Sequence, residues 1–180
     1  SVGLLSDVFR LADDSMRGRH LGSLEGAKAR DYLAARFDAL GIATIAPGRL
    51  HRVPVIPAPR NNNVDHAFNV IGVVRGTVQP EQYIVITAHY DHVGIGRVVD
   101  GDSLYNGADD NASGAAALVT LARHFQQARP RHSIVFAAVD GEERGMPGSR
   151  GFVDAPTVPL GQILVNVNLD MIGRNAKGEV

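Results

Sequence analysis

Cysteine is absent from the 180 residues, which removes thiolate zinc sites and disulfide frameworks from consideration. An excess of charge of one sign is missing too. Against 18 basic side chains stand 19 acidic ones, a net charge of −1, so nothing draws the chain toward nucleic acid or an anionic membrane. No apolar run is long enough to span a bilayer. The opening stretch, Val2 to Leu11, is short, carries Asp7 and Arg10 and lacks a basic start, so no signal peptide is expected in it. Several catalytic motifs are also lacking. Without Gly-x-Ser-x-Gly, His-Glu-x-x-His, Gly-x-x-x-x-Gly-Lys or Gly-x-Gly-x-x-Gly, serine hydrolase, single-zinc protease, nucleotide hydrolase and dinucleotide-binding readings lose their residues. No internal repeat or low-complexity tract occurs.

What remains is one domain's worth of chain, 1–180, with a hydrophobic content of 44% that suffices for a sizeable core. Apolar spacing predicts a leading helix over residues 2 to 12 and a Gly-rich basic loop at 14–22. Ser23 then stands as N-cap of a helix running to Leu40, with Tyr32, Leu33, Phe37 and Leu40 as its apolar stripe and Gly41 as its stop. Proline and asparagine make 47–63 a surface connection with at most one edge strand, near Leu50 to Ile56. Core strands are expected at Phe68–Val74, Tyr83–Ala88, Ser133–Val139 and Ile163–Leu169. The stretch from Gly94 to Gly107 reads as a loop, Ser113 as the cap of a helix ending near Pro130, and the piece between the last two strands has room for one short helix. Strands alternating with helices predict an α/β domain with a largely parallel sheet.

Three of those strands end on metal-type side chains: His89-Tyr90-Asp91, Asp140-Gly141-Glu142-Glu143 and Leu169-Asp170. Open α/β sheets bind ligands at the carboxyl ends of their strands. The polar turn Asn106 to Gly114 reaches the same edge, and we read Asp109 within it as the carboxylate shared by two metal ions. Asp91, two residues from His89 in an extended segment, can accept the second ring N–H and leave the other nitrogen for metal. Each piece alone also has a plain explanation: a strand-end histidine satisfied by an acid, an Asx-type turn at Asp109-Asp110, a solvated Glu142-Glu143. Together, four or five carboxylates and an imidazole on one edge call for divalent cations. His92 is expected to play a structural or substrate-facing part rather than to ligate, Arg174 to be solvated, and the other histidines to carry no chemistry.

His89-Tyr90-Asp91, Gly107-Ala108-Asp109-Asp110-Asn111-Ala112-Ser113-Gly114, Glu142-Glu143 and Asn168-Leu169-Asp170-Met171 fall in the order found in co-catalytic zinc peptidases. Over about Leu11 to Arg174 the sequence resembles the bacterial leucyl-aminopeptidase and glutamate-carboxypeptidase family of peptidase clan MH. The resemblance implies a three-layer zinc-exopeptidase fold with a largely parallel mixed sheet flanked by helices. It implies two zinc ions, one held by His89 and Asp170 and the other by Glu143, with Asp109 bridging, Glu142 as general base and Asp91 supporting His89. A cis peptide between Asp109 and Asp110 is implied as well. Peptide or aminoacyl substrates and an extracytoplasmic location follow from the same likeness. One departure is that the family's second zinc takes a further histidine from beyond Asp170, and no histidine follows His132 here. The expectation is an exopeptidase, most simply an aminopeptidase, whose 180 residues alone are inactive; the alternative is a metal-poor relative that serves as a binding domain.

Overall fold

The computed structural model describes residues 2–45, 48–56 and 64–174. Helix α1 (Val2–Leu11) leads into tight helical turns at Asp14–Arg19 and then α2 (Leu24–Ala39). The Ser23 hydroxyl accepts from Gly26 N at 2.9 Å, and Gly41 closes α2 with φ +66°, so both ends form as the sequence predicts. Buried Asp7 ties α1 to α2, accepting from Tyr32 Oη at 2.5 Å and Arg36 Nε at 2.8 Å. Of the expected connection, residue 47 and residues 57–63 lie outside the described residues.

The sheet contains β1 (Leu50–Pro54), β2 (His66–Val74), β3 (Gln79–His89), β6 (His132–Val139) and β7 (Ile163–Asn168), in the order β1-β2-β6-β3-β7. β6, β3 and β7 are parallel, while β2 is antiparallel to β6 and β1 to β2. Alternate residues face two layers. Val70, Ile86, Ala88, Phe136 and Ala138 pack under α2 and α3 (Gly114–Ala128) with Leu33, Phe37, Leu118 and Ala122. Ile71, Val73, Val85, Val135 and Ala137 pack on the other face with Phe152 of α4 (Pro147–Asp154), the short helix for which the sequence left room. The unbroken apolar run of β6 is buried on both faces, as a central parallel strand should be.

Three expectations need correcting. The Gly94–Gly107 loop contains a hairpin, β4 (Gly94–Val99) and β5 (Asp102–Tyr105). Its two-residue turn is Asp100-Gly101, with φ of +51° and +87°, the Asp-Gly turn that suits a right-twisted hairpin. β7 is an exposed edge strand rather than a core one: Leu164, Val165 and Val167 are 53, 48 and 43% accessible, and among the described residues only β3 pairs with it. Ser113 makes no side-chain cap on α3. Asn111 Oδ1 accepts from Gly114 N instead, at 3.0 Å.

Candidate metal centre

The parallel register aligns the ends of the three site strands: His89 lies beside Val139, and Thr87 beside Asn168. The residues that follow, Glu142, Glu143 and Asp170, therefore meet His89 at one edge. Residues 108–113 form an irregular helical turn that enters this edge after Gly107. Gly107 must be glycine: its φ is +62°, and a Cβ would lie 2.2 Å from Asp110 O and 2.7 Å from Arg19 Nη2.

Asp110, rather than Asp109, is the aspartate brought to the centre. Its Oδ1 is 3.2 Å from His89 Nε2, and Asp170 Oδ1 is 3.4 Å from the same nitrogen. Its Oδ2 is 3.8 Å from His92 Nδ1, which lies 2.8 Å from Glu143 Oε1. Two donor groups result, His89/Asp110/Asp170 and His92/Asp110/Glu143, joined by one carboxylate. Asp109 turns aside, accepting from Gly173 N at 2.8 Å and lying 3.9 Å from Arg174 Nε. The cis bond also falls one position later than expected, between Asp110 and Asn111. Adjacent aspartates are chemically identical, and in an irregular turn neither helical nor strand periodicity says which one faces the cluster.

Asp91 is wholly buried and does two things. Its backbone carbonyl accepts from His89 Nδ1 at 3.1 Å, with its carboxylate 3.5 Å from the same nitrogen, which leaves Nε2 facing Asp110 and Asp170. The carboxylate itself accepts from Glu142 N at 2.9 Å and Glu143 N at 3.3 Å, fixing the loop that carries both glutamates. Both the carbonyl and the carboxylate of Asp91 thus lie against His89 Nδ1.

Burial disfavours the charged form of His89, but Asp91, Asp170 and Asp110 outweigh it and hold the imidazole at about 9. Burial also lifts Glu142 above the ordinary carboxylate range; Glu143, Asp91 and Asp170 add to the shift and His89 opposes it. A raised carboxyl beside a cluster of acids is what a general base needs near neutrality.

Two residues passed over as structure prove central to the site. Arg19, placed in a basic loop by sequence, is fully buried. Its guanidinium donates to Tyr90 O at 2.8 Å, Leu11 O at 2.5 Å, Asn106 O at 2.7 Å and Gly107 O at 2.9 Å. It thereby joins α1, the end of β3 and the turn that presents Asp110. Burial draws its pKa down to about 10, against the pull of Asp91 and Asp110. Asn111 Nδ2 donates to Leu169 O at 2.9 Å and His89 O at 3.3 Å, and its Oδ1 accepts from Met171 N at 3.2 Å. The available signals were an arginine beside Gly18 in a Gly-containing basic loop and an asparagine inside a Gly-rich turn, and both types are usually exposed.

A cleft of about 530 Å³ opens beside the centre. His89, Glu142 and Asp170 stand among its walls with Thr87 and Asn168, and Val139, Met146, Phe152 and Ile163 supply apolar surface.

Zinc can be tested against these donors. Imidazole nitrogen and carboxylate oxygen are its usual partners, and at bond lengths of about 2.0–2.1 Å two donors on a tetrahedral ion lie about 3.3 Å apart. The separations of 3.2 and 3.4 Å about His89 Nε2 fit that spacing. His89, Asp110 and Asp170 would hold one ion; Asp110 and Glu143 are carboxylate donors for a second.

Sheet and donor set together define an α/β domain with a histidine and carboxylate set suited to divalent metal at the carboxyl edge of its parallel strands. The chain belongs to peptidase family M28, whose profile matches residues 69–180. It is 46% identical over 81 residues to a probable zinc metalloprotease of Leptosphaeria maculans, a match covering 45% of this chain and 19% of that protein. The fold is shared with a zinc aminopeptidase from Bacillus subtilis (TM-score 0.74, 17% identity, 97% of this chain and 70% of that one). It is shared equally with a Bacteroides thetaiotaomicron glutaminyl cyclase (0.71, 22%, 97% and 62%). Among the described residues no helix is long and apolar enough to cross a membrane.

Proposed function

We propose that the protein is a zinc-dependent exopeptidase, of aminopeptidase type, hydrolysing a terminal peptide bond outside the cytoplasm. The observation that carries this reading is the placement of the two Asp110 oxygens, one 3.2 Å from His89 and the other in the group with His92 and Glu143. A carboxylate so placed suits a pair of metal ions. His89, Asp110 and Asp170 would hold one; Asp110 and Glu143 would contribute to the other. Zinc in such a pair supplies Lewis acidity toward a carbonyl and lowers the pKa of a bound water.

The chain's own groups complete the chemistry. Glu142, held at its backbone by Asp91, takes a proton from the attacking water and returns it to the leaving amine. The apolar wall at Met146 and Phe152 keeps bulk water from one side of the reacting bond.

Zinc content and hydrolysis of an aminoacyl-p-nitroanilide by the full-length protein test the reading. About two zinc ions per chain and chelator-sensitive release of p-nitroaniline are expected. A protein that takes up no zinc overturns it and leaves the metal-poor binding domain as the better reading.

A further inference from the structure

His92 follows the His-x-Asp element directly and is nearly as buried as His89, at 9 and 3% accessible. The two rings nevertheless meet their carboxylates differently. About His89 Nε2 the oxygens of Asp110 and Asp170 are evenly spaced at 3.2 and 3.4 Å, and the other ring nitrogen is engaged by the Asp91 carbonyl. That is the arrangement of a ligating imidazole, whose second N–H is held by an acceptor. About His92 Nδ1 the spacing is uneven, 2.8 Å to Glu143 Oε1 and 3.8 Å to Asp110 Oδ2. The short distance matches a hydrogen bond to a charged acceptor, about 2.7–2.9 Å, and is too short for two donors on one tetrahedral zinc, about 3.3 Å. The ring is largely buried against Gly107, its Cδ2 lying 2.6 Å from where a Cβ on that residue would sit, and its backbone N–H reaches Arg19 O at 3.4 Å.

We infer that His92 is a positioning residue for the second zinc, donating its Nδ1–H to Glu143 Oε1 and so leaving the other oxygen of Glu143 for the metal. The inference rests on the zinc reading above. Glu143 is otherwise held at its backbone, by Asp91, and its side chain has rotational freedom that costs affinity when a metal freezes it. A hydrogen bond from a buried ring removes that freedom beforehand and sets the carboxylate's angle.

Zinc affinities of both sites, measured on the full-length protein by competition with a chromophoric chelator, test this directly. His92→Ala should weaken the second ion about 10–100-fold, the range seen when an outer hydrogen-bond partner of a metal ligand is lost, and leave the first ion's affinity unchanged. His92→Asn places an amide N–H close to the Nδ1 position and should restore most of the loss, whereas His92→Gln, whose amide reaches the Nε2 position, should not. Should His92→Ala not fold, the Asn and Gln variants carry the comparison. Equal loss of the second ion in the Asn and Gln variants would make His92 a direct ligand and overturn the positioning role. One or two zinc ions bound with affinities indifferent to His92 would overturn it and leave the zinc reading standing, whereas a wild-type protein without zinc would remove both.

Discussion

The two halves of the proposed metal centre are built in different ways. His89 and Asp170 come from the ends of neighbouring parallel strands, so the sheet's register sets their separation, and the second nitrogen of His89 is held by a residue two positions on. Glu142 and Glu143 come from a short helical turn after β6 and His92 from the segment after β3; the two glutamates donate their backbone N–H groups to the Asp91 carboxylate, and the Glu143 side chain meets the ring of His92. Asp110 belongs to both halves. A strand-built half can be ready for its ion before the ion arrives; a loop-built half depends on its hydrogen bonds. The first ion should therefore bind more tightly than the second, and the loop-built half should be where single hydrogen-bonding changes are felt.

The largest expected effect lies on the loop side. Glu142→Gln should lower kcat about 10²–10⁴-fold while leaving both zinc affinities in place, measured by steady-state kinetics beside metal analysis; an unaltered kcat would move the proton to another group. Glu143→Gln should behave oppositely, losing the second ion first while the His89 half keeps its own.

Next in size is the clamp that joins α1, the end of β3 and the turn carrying Asp110. Arg19→Met removes donors from four backbone carbonyls, each costing roughly 1–3 kcal/mol if left buried and unpaired. Urea denaturation should show a loss of several kcal/mol, on the order of 3 or more. A loss below about 0.5 kcal/mol, the range of ordinary surface substitutions, would show that Arg19 does not hold these segments together.

This arginine also shows where sequence reasoning stops. The apolar runs ending at His89 and Val139 were legible because buried parallel strands are continuous in sequence, the run ending at Asn168 was legible from its apolar residues although they are exposed, and parallel strands bring their carboxyl ends to one edge. The donor types at that edge were legible for the same reason. The choice between Asp109 and Asp110 was not, because the irregular turn at 108–113 has no periodicity and the two residues are identical in kind. Arg19 and Asn111 were missed because their work is to satisfy backbone carbonyls far away in sequence, which no local pattern records. The Asp100-Gly101 hairpin, by contrast, carried a turn signal that was passed over, and the exposure of β7 depends on its neighbours in space.

A smaller effect separates the region behind the centre from the centre itself. Asp140 lies at the end of β6, buried, with one carboxylate oxygen accepting from Phe68 N at 3.1 Å and the other unpaired. Burial raises its carboxyl from 3.8 to about 7, and Asp91 pushes in the same direction. Between about pH 4 and pH 7 the folded chain keeps a proton that the unfolded chain has lost, so this group's contribution to stability falls as the pH rises through that window. Asp140→Asn should therefore stabilise the fold above pH 7 and lose that advantage toward pH 4, read from denaturation midpoints at several pH values. A gain that is independent of pH would place the cause in packing rather than charge.

Zinc stoichiometry of Asp109→Asn and Asp110→Asn, measured side by side on folded protein, decides whether one carboxylate joins the two halves. The Asp110 variant should lose the second ion and bind the first weakly, while the Asp109 variant keeps both because its carboxylate serves the Gly173 backbone. Loss of zinc from the Asp109 variant with full occupancy in the Asp110 variant would contradict the shared role of Asp110 and return the bridge to the residue before it.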